Sequence, residues 1–141
     1  MIRSYRQSDI DQVISIWLES SIIAHDFIDK SFWESNVKEM RDKYIPASET
    51  YVFEDNGKII GFLSLYGERI AAIFVTPNKQ GKGVGAQLLE SAKQQKNKLD
   101  LTVYKENRKS IKFYERHGFK VVKEQIDENT GHLELLMEFE S

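Results

Sequence analysis

The 141-residue sequence contains no cysteine, so disulfide bonds, thiolate metal ligands and a cysteine nucleophile are excluded. It has no apolar run near the roughly 18 residues of a membrane-spanning helix, and its N-terminal segment is too polar for a secretory signal. Neither charge dominates, because 20 basic residues are balanced by 22 acidic ones. A nucleic-acid-binding surface requires a basic surplus. We therefore expect a cytoplasmic protein with neither a nucleic acid nor a membrane as partner.

Proline and glycine are also scarce, which leaves few places where the chain can break. There are two prolines and eight glycines, and no linker, repeat or low-complexity segment divides the sequence. With 40% hydrophobic residues, a chain of this length can bury one sizeable core. These features predict a single domain over residues 1–141.

The hydrophobic periodicity changes along the chain from helical to strand-like. A short strand at 2–6 precedes a helix that Ser8 is predicted to cap, and a second helix is predicted over 30–44. Three strands follow, of which the first two are joined by the Asp55–Gly57 turn. After a glycine-rich loop come a helix, a strand, a short helix ended by Gly118 and two final strands. This order predicts a mixed α/β sheet with helices on both faces.

The segment QGKGVGA at 80–86 places three glycines in five residues directly before an amphipathic helix. Glycine is unfavourable there unless the backbone must approach something closely or take an unusual conformation. The free amides of a helix N-terminus bind anions, and Lys79 and Lys82 add positive charge nearby. The segment lacks the ending of a Walker loop and fits the dinucleotide fingerprint poorly. Taken alone, it is explained equally well by a phosphate site or by a solvated turn.

A second informative segment, NRKSIKFYERHGF at 107–119, opens a short helix after a buried strand. Asn107 is suited to cap this helix whatever the protein does. Tyr114 shares a helix face with Ile111, so packing is its ordinary explanation. A phenol with a pKa of about 10 is protonated at neutral pH, and Tyr114 could act as a general acid if it faces a cleft.

Together these two segments resemble the GNAT superfamily of acetyl-CoA-dependent N-acetyltransferases. The match comprises a Val-x-Pro strand end, the (Arg/Gln)-x-x-Gly-x-(Gly/Ala) loop beginning at Gln80, and the Asn, Phe-Tyr and Gly-Phe of 107–119. The chain is also similar to small bacterial members with a His-x-Phe in the first helical loop, here His25 and Phe27, some of which acetylate protein lysines. The resemblance implies a single GNAT-like domain with a mixed, mostly antiparallel sheet of six to seven strands and about four helices on both faces.

The resemblance further implies that acetyl-CoA is the co-substrate and that no metal takes part. In the family, the strand before the glycine-rich loop bulges and parts from its neighbour, which exposes backbone amides to pantetheine and to the thioester carbonyl. Asn107 would bond the pantetheine arm, and Tyr114 would lie near the sulfur and protonate the departing thiolate. The residues implied for cofactor binding are Phe74, Val75, Gln80, Gly81, Lys82, Gly83, Gly85, Ala86, Asn107 and Tyr114.

The sequence defines the acceptor side of the reaction less well. Direct attack by a neutral amine in a ternary complex is implied, but two alanines replace the glutamate that many members carry on the strand at 69–75. Glu68 and His25 are the candidate general bases. The alternatives are a solvated turn for Glu68 and a structural or substrate-positioning role for His25. Candidates for lining the acceptor channel are His25, Phe27 and Tyr66.

Three hypotheses for the function remain open at this point. The first is N-acetylation of a protein lysine or N-terminus. The second is acetylation of a small-molecule amine such as an aminoglycoside or a polyamine, and the third is a coenzyme A-binding module with weak catalysis. The absent strand glutamate favours the third hypothesis, whereas Tyr114 argues against it. Family members are often monomers or dimers, so a monomer or homodimer is expected.

Overall fold

One mixed sheet runs through the protein, which a computed structural model describes over residues 1–141. Its strands are β1 (Ile2–Ser4), β2 (Glu49–Asp55), β3 (Lys58–Tyr66), β4 (Arg69–Val75), β5 (Lys98–Tyr104), β6 (Lys120–Ile126) and β7 (Leu133–Glu140). They lie in the order β1-β2-β3-β4-β5-β7-β6, and only β4 and β5 are parallel neighbours. The predicted mixed, mostly antiparallel sheet is therefore confirmed.

Six α-helices accompany the sheet, and four of them have six or more residues. They are α1 (Ile10–Ala24), α2 (Lys30–Ser35), α3 (Val37–Glu39), α4 (Ile45–Ala47), α5 (Val84–Gln95) and α6 (Arg108–Arg116). Short 3-10 turns at Gln7–Asp9 and Pro77–Lys79 and a π-helical turn at Met40–Tyr44 complete the helical structure. None of the helices is both long enough and apolar enough to cross a membrane.

Helices cover both faces of the sheet, because successive strand residues point to opposite sides and both sides are apolar. On one face, Phe62 of β3 belongs to a buried cluster with Trp17 of α1. On the other face, the next residue, Leu63, packs in a second buried cluster with Leu88 of α5. The prediction of helices on both faces is confirmed by these two clusters.

The start of α1 differs from the sequence prediction, because Ser8 is not its cap. The chain first makes the 3-10 turn, and the Asp9 carboxylate accepts a hydrogen bond of 2.8 Å from the Arg6 amide. Asp9 is buried and also forms a salt bridge with Arg3, in which an Asp9 oxygen lies 2.8 Å from the guanidinium. The Arg3 guanidinium holds the pKa of the Asp9 carboxyl below its usual value. Asp9, which stabilises the turn and also forms an ion pair, therefore takes the role that the sequence assigned to Ser8.

The single helix predicted over 30–44 is also wrong, since α2 ends at Ser35. The Asn36 side-chain amide donates a 2.6 Å hydrogen bond to the Phe32 carbonyl, which is the acceptor that the Asn36 backbone amide would use in a continuing α-helix. That backbone amide bonds Trp33 instead. The segment therefore continues as short helical pieces.

A gap opens between β4 and β5, the two parallel strands at the centre of the sheet. Their only residue pair is Arg69 with Asp100, whose side chains also form an ion pair. In the pairing of β3 with β4, Ser64 faces Ala72 but Leu65 faces Ile70, so one residue of β4 is left over as a β-bulge. Beyond the bulge the two parallel strands separate towards their C-terminal ends.

Candidate active site

The glycine-rich loop lies at the open end of the gap, between β4 and α5. Gly81 and Gly83 have φ angles of +77° and +87°, a left-handed conformation that favours glycine. A Cβ atom on either residue would meet no atom within 4 Å, so the surface above them is open. Gly85 differs, because its Cβ would touch the Phe113 ring at 3.5 Å. Two glycines thus serve the backbone conformation of the loop, and the third serves the packing of α5 on α6.

Two side chains bond the last carbonyl of β4, one from α1 and one from the glycine-rich loop. The Val75 carbonyl accepts hydrogen bonds of 3.1 Å from the Ser20 hydroxyl and 3.0 Å from the Gln80 side-chain amide. Gln80 therefore anchors the loop through its side chain. Lys79 and Lys82 take part in no ion pair, so their charges are free to attract an anion to the N-terminus of α5.

The direction of the β4 amides corrects one sequence prediction. The Thr76 amide donates to the Ile60 carbonyl of β3 at 2.8 Å. Phe74, two residues before Thr76 on the same strand, is paired with Phe62 of β3. Bonded and non-bonded pairs alternate along antiparallel strands, so the Phe74 amide points towards β3 and is not available. Two other amides point into the gap instead, those of Ile73 and Val75. The sequence did not indicate Ile73, because the register of β4 against β3 decides which of its amides point to β3 and which point into the gap.

Asn107 caps α6 and Tyr114 lies on it, beside the gap. The Asn107 side-chain oxygen accepts from the Ser110 amide at 3.3 Å, which confirms the predicted helix cap. Tyr114 packs with its ring centroid 5.7 Å from that of Phe119. Burial raises the pKa of the Tyr114 phenol above its usual value, and no group of the protein hydrogen-bonds it. A protonated hydroxyl without a protein partner is suited to donate a proton to a substrate.

His25 ends α1 and is enclosed by aromatic rings. It is 7% exposed, and its ring stacks on Trp33 at a centroid distance of 5.0 Å. Burial lowers its pKa to about 4, so the imidazole is neutral at neutral pH. Its Nδ1 atom is buried without a hydrogen-bond partner, as is Nε1 of Trp33. A group with this pKa is a poor base for an ammonium ion, and the geometry favours the positioning alternative.

Four rings meet in what we call the aromatic corner, defined by His25, Phe27, Tyr104 and His132. Centroids are 5.7 Å apart for Phe27 and Tyr104, and 5.2 Å for Phe27 and His132. The Tyr104 hydroxyl donates a 2.5 Å hydrogen bond to the carboxylate of Asp127. Sequence analysis missed Tyr104, His132 and Asp127, because no local pattern indicates that these segments converge.

Tyr66 and Glu68 lie apart from the aromatic corner, at the closed end of the gap, where Tyr66 ends β3 and Glu68 belongs to the turn before β4. Tyr66 is 65% exposed, and the Glu68 carbonyl accepts a 3.0 Å hydrogen bond from the Asp100 amide. About 20 Å of strand separates this end of β4 from Val75, at the usual rise of about 3.3 Å per residue. The structure therefore divides the predicted acceptor residues between the two ends of the gap.

Parallel strands that separate beside a glycine-rich loop with free backbone amides can hold an extended, negatively charged ligand between them. Residues 46–121 match the family model described as "Acetyltransferase (GNAT) domain". The chain belongs to this family, and the family resemblance inferred from its motifs is confirmed.

Individual relatives agree with this assignment. The peptidyl-lysine N-acetyltransferase YiaC of Escherichia coli is 35% identical over 123 residues, which cover 86% of this chain and 84% of YiaC. The solution structure of apo YjaB from Escherichia coli has a TM-score of 0.86 at 26% identity, and the match covers 99% of this chain and 96% of YjaB. The PaiA N-acetyltransferase of Thermoplasma acidophilum, solved with coenzyme A, shares the fold with a TM-score of 0.82 at 21% identity, covering 100% and 98% of the two chains. The protein is an N-acetyltransferase with acetyl-CoA as co-substrate.

Proposed function

We propose that this chain, folded as one domain over residues 1–141, transfers the acetyl group of acetyl-CoA to the side-chain amine of a protein lysine. The observation that carries the proposal is the gap between β4 and β5, which has an anion-binding loop at its open end and the aromatic corner beside it. The relative YiaC, named as a peptidyl-lysine N-acetyltransferase, supports lysine as the acceptor.

The glycine-rich loop fits the pyrophosphate of coenzyme A. Gly81 and Gly83 leave the surface open and turn the backbone so that the amides at the start of α5, including those of Gly85 and Ala86, lack intrahelical acceptors. Lys82 adds a positive charge that no acidic side chain neutralises. Gln80 has a supporting role, since it holds the loop on the end of β4.

Backbone amides in the gap fit the pantetheine arm and the thioester. When bound, acetyl-CoA supplies the electrophilic thioester carbon. The Ile73 and Val75 amides would donate to the arm and to the thioester oxygen, where negative charge develops during attack. Asn107 would hold the arm through its side-chain NH₂, since its oxygen is already committed to the helix cap.

Tyr114 is the proposed general acid. Its phenol stays protonated because burial raises its pKa, and it is free to donate to the thiolate as that group leaves. The acceptor must reach the thioester as a neutral amine, because an ammonium ion has no lone pair with which to attack. His25 and Phe27 are assigned to positioning, His25 through its contact with Asn107 and Phe27 through the aromatic corner.

An acceptor competition tests this proposal. The purified protein is incubated with acetyl-CoA and with lysine peptides, spermidine or kanamycin, and the products are measured by mass spectrometry, with Tyr114→Phe as the control for enzymatic transfer. We expect acetylated lysine peptides from the wild type and little product from Tyr114→Phe. If only spermidine or kanamycin is acetylated, the acceptor is a small-molecule amine and not a protein lysine. Tight acetyl-CoA binding without any transfer would favour the coenzyme A-binding module.

A further inference from the structure

Two carboxylates without a lysine or arginine partner, those of Asp127 and Glu106, lie beside the aromatic corner. Asp127 accepts from the Tyr104 hydroxyl and from the Asn129 amide, and it takes part in no salt bridge. Glu106 has only the His132 imidazole as an ionic partner, with the Glu106 oxygen 3.0 Å from Nδ1. The carboxylate of Glu124, by contrast, has a basic partner, because it lies 2.7 Å from the ammonium of Lys105. Negative charge therefore lies next to the half-buried rings of Phe27 and Tyr104.

The Tyr104 hydroxyl is held in one orientation. Its proton points to Asp127 at 2.5 Å, and the Thr130 hydroxyl lies on the acceptor side of the phenol oxygen, which leaves one lone pair to accept a further hydrogen bond. Burial is the main cause that raises the pKa of Tyr104, and the bond to Asp127 acts in the same direction. The hydroxyl thus remains protonated. A hydrogen bond donated to a carboxylate also makes the donor oxygen a better acceptor.

The faces of the neighbouring rings favour a positive charge as well. The Tyr104 ring stands nearly perpendicular to Phe27, at an interplanar angle of 79°, and to His132, at 80°. Aromatic faces attract ammonium groups, and a Phe ring accommodates an aliphatic stem. The corner is adjacent to Asn107, because His25 contacts both Tyr104 and Asn107. A charged amine bound here would lie close to the proposed pantetheine site.

We propose that Tyr104, held by Asp127, is a specificity-determining residue that selects a cationic aliphatic amine as the acceptor. The inference rests on the proposed function, since it concerns the acceptor of the same reaction. The amine binds as its ammonium ion, with one N–H donated to the Tyr104 oxygen and the methylene stem along Phe27. The ammonium then loses a proton to water before attack on the thioester. An uncharged amine of the same length can still donate a neutral hydrogen bond to Tyr104, but it lacks the attraction between an ammonium ion and the Asp127 carboxylate.

Matched peptides and matched variants test the inference. One peptide carries an acceptor lysine, and the other carries in its place an alkoxyamine side chain, which is uncharged at neutral pH. Tyr104→Phe and Asp127→Asn keep the shape of the site, and Glu128→Gln removes a negative charge from the same turn at a side chain that makes no hydrogen bond to Tyr104. We expect Tyr104→Phe and Asp127→Asn to lower kcat/KM for the lysine peptide about tenfold, the size of one hydrogen bond to a charged group.

The controls separate selection of charge from a general loss of activity. The alkoxyamine peptide should lose clearly less activity than the lysine peptide in Tyr104→Phe and Asp127→Asn, because a neutral hydrogen bond is weaker than one to a charged group. The KM for acetyl-CoA should stay unchanged, and melting temperatures establish that each variant is folded. Equal losses for both peptides, or the same loss in Glu128→Gln, would overturn the inference. If the wild type acetylates spermidine but neither peptide, the proposed lysine acceptor fails. The same comparison with spermidine then decides the role of Tyr104, since losses in Tyr104→Phe and Asp127→Asn but not in Glu128→Gln support it and equal rates in all variants overturn it.

Discussion

The Nε2 atom of His25 lies 3.4 Å from the Nδ2 atom of Asn107, although the two residues are 82 positions apart. Because the Asn107 oxygen is used by the helix cap, its NH₂ group faces the imidazole. An amide NH₂ can only donate, so Nε2 must be the acceptor and the ring must be neutral. The lowered pKa of His25, about 4, agrees with this arrangement. The loop that carries the acceptor candidates is thereby joined to the helix that would hold pantetheine.

The first prediction concerns this contact. His25→Phe keeps a stacking ring but removes the acceptor for the Asn107 NH₂ group, so the KM for acetyl-CoA should rise about three- to tenfold with a smaller change in kcat. Asn107→Asp keeps the cap and removes the NH₂ donor, and it should give a similar increase at nearly unchanged stability. Steady-state kinetics with varied acetyl-CoA measure both. A change confined to the KM for the acceptor would contradict the positioning role.

A second prediction follows from the burial of His25. Its folded pKa of about 4 lies below its unfolded value of about 6.5, so in this pH window the unfolded chain binds a proton that the native protein does not. Stability therefore falls on acidification, by roughly 2 kcal/mol between about pH 7.5 and about pH 5 from this group. Urea unfolding at the two pH values should show a smaller loss for His25→Phe. Identical losses in both proteins would show that His25 is solvated in the native state.

The glycine-rich loop gives a third prediction with an internal control. Gly83 and Gly57 both have left-handed φ angles, of +87° and +76°, and neither has an atom within 4 Å of an added Cβ. Alanine at either position should cost about 1 kcal/mol of stability through the backbone alone. Only Gly83→Ala should weaken acetyl-CoA binding, because its methyl group projects into the proposed pyrophosphate site. Thermal melts and calorimetric titration measure the two effects, and equal affinities would reject this site.

The fourth prediction tests the proton donor. Tyr114→Phe removes a hydroxyl that no protein group hydrogen-bonds, so the fold should be kept while kcat falls by about 100-fold or more. The dissociation constant for acetyl-CoA should stay within about twofold. Tyr51→Phe serves as the matched control, since the Tyr51 hydroxyl bonds Glu49 and Gln95 and takes no part in the site. An unchanged kcat in Tyr114→Phe would remove the general acid from the mechanism.

Local patterns predicted the elements of the fold well, but contacts between distant elements escaped them. The turn at Asp55–Gly57 and the alternation of the strands fix a hairpin within a few residues of sequence. The direction of the Ile73 amide depends on a bulge that only the pairing with β3 defines. His132 contacts Tyr104 because β7, the last strand of the chain, lies between β5 and β6 in the sheet. The order of the strands along the sequence does not indicate this arrangement.

Both tryptophans of the chain belong to the cluster beneath the aromatic corner. Trp33 stacks on His25, and the Trp17 ring lies 6.0 Å from Trp33 at an angle of 75°. All indole fluorescence of the molecule therefore originates in one small volume, and a protonated histidine or a bound cation there acts directly on the emitting ring. The protein therefore contains its own optical reporter for the proposed acceptor site, and an acceptor that binds there can be followed by fluorescence without any attached dye.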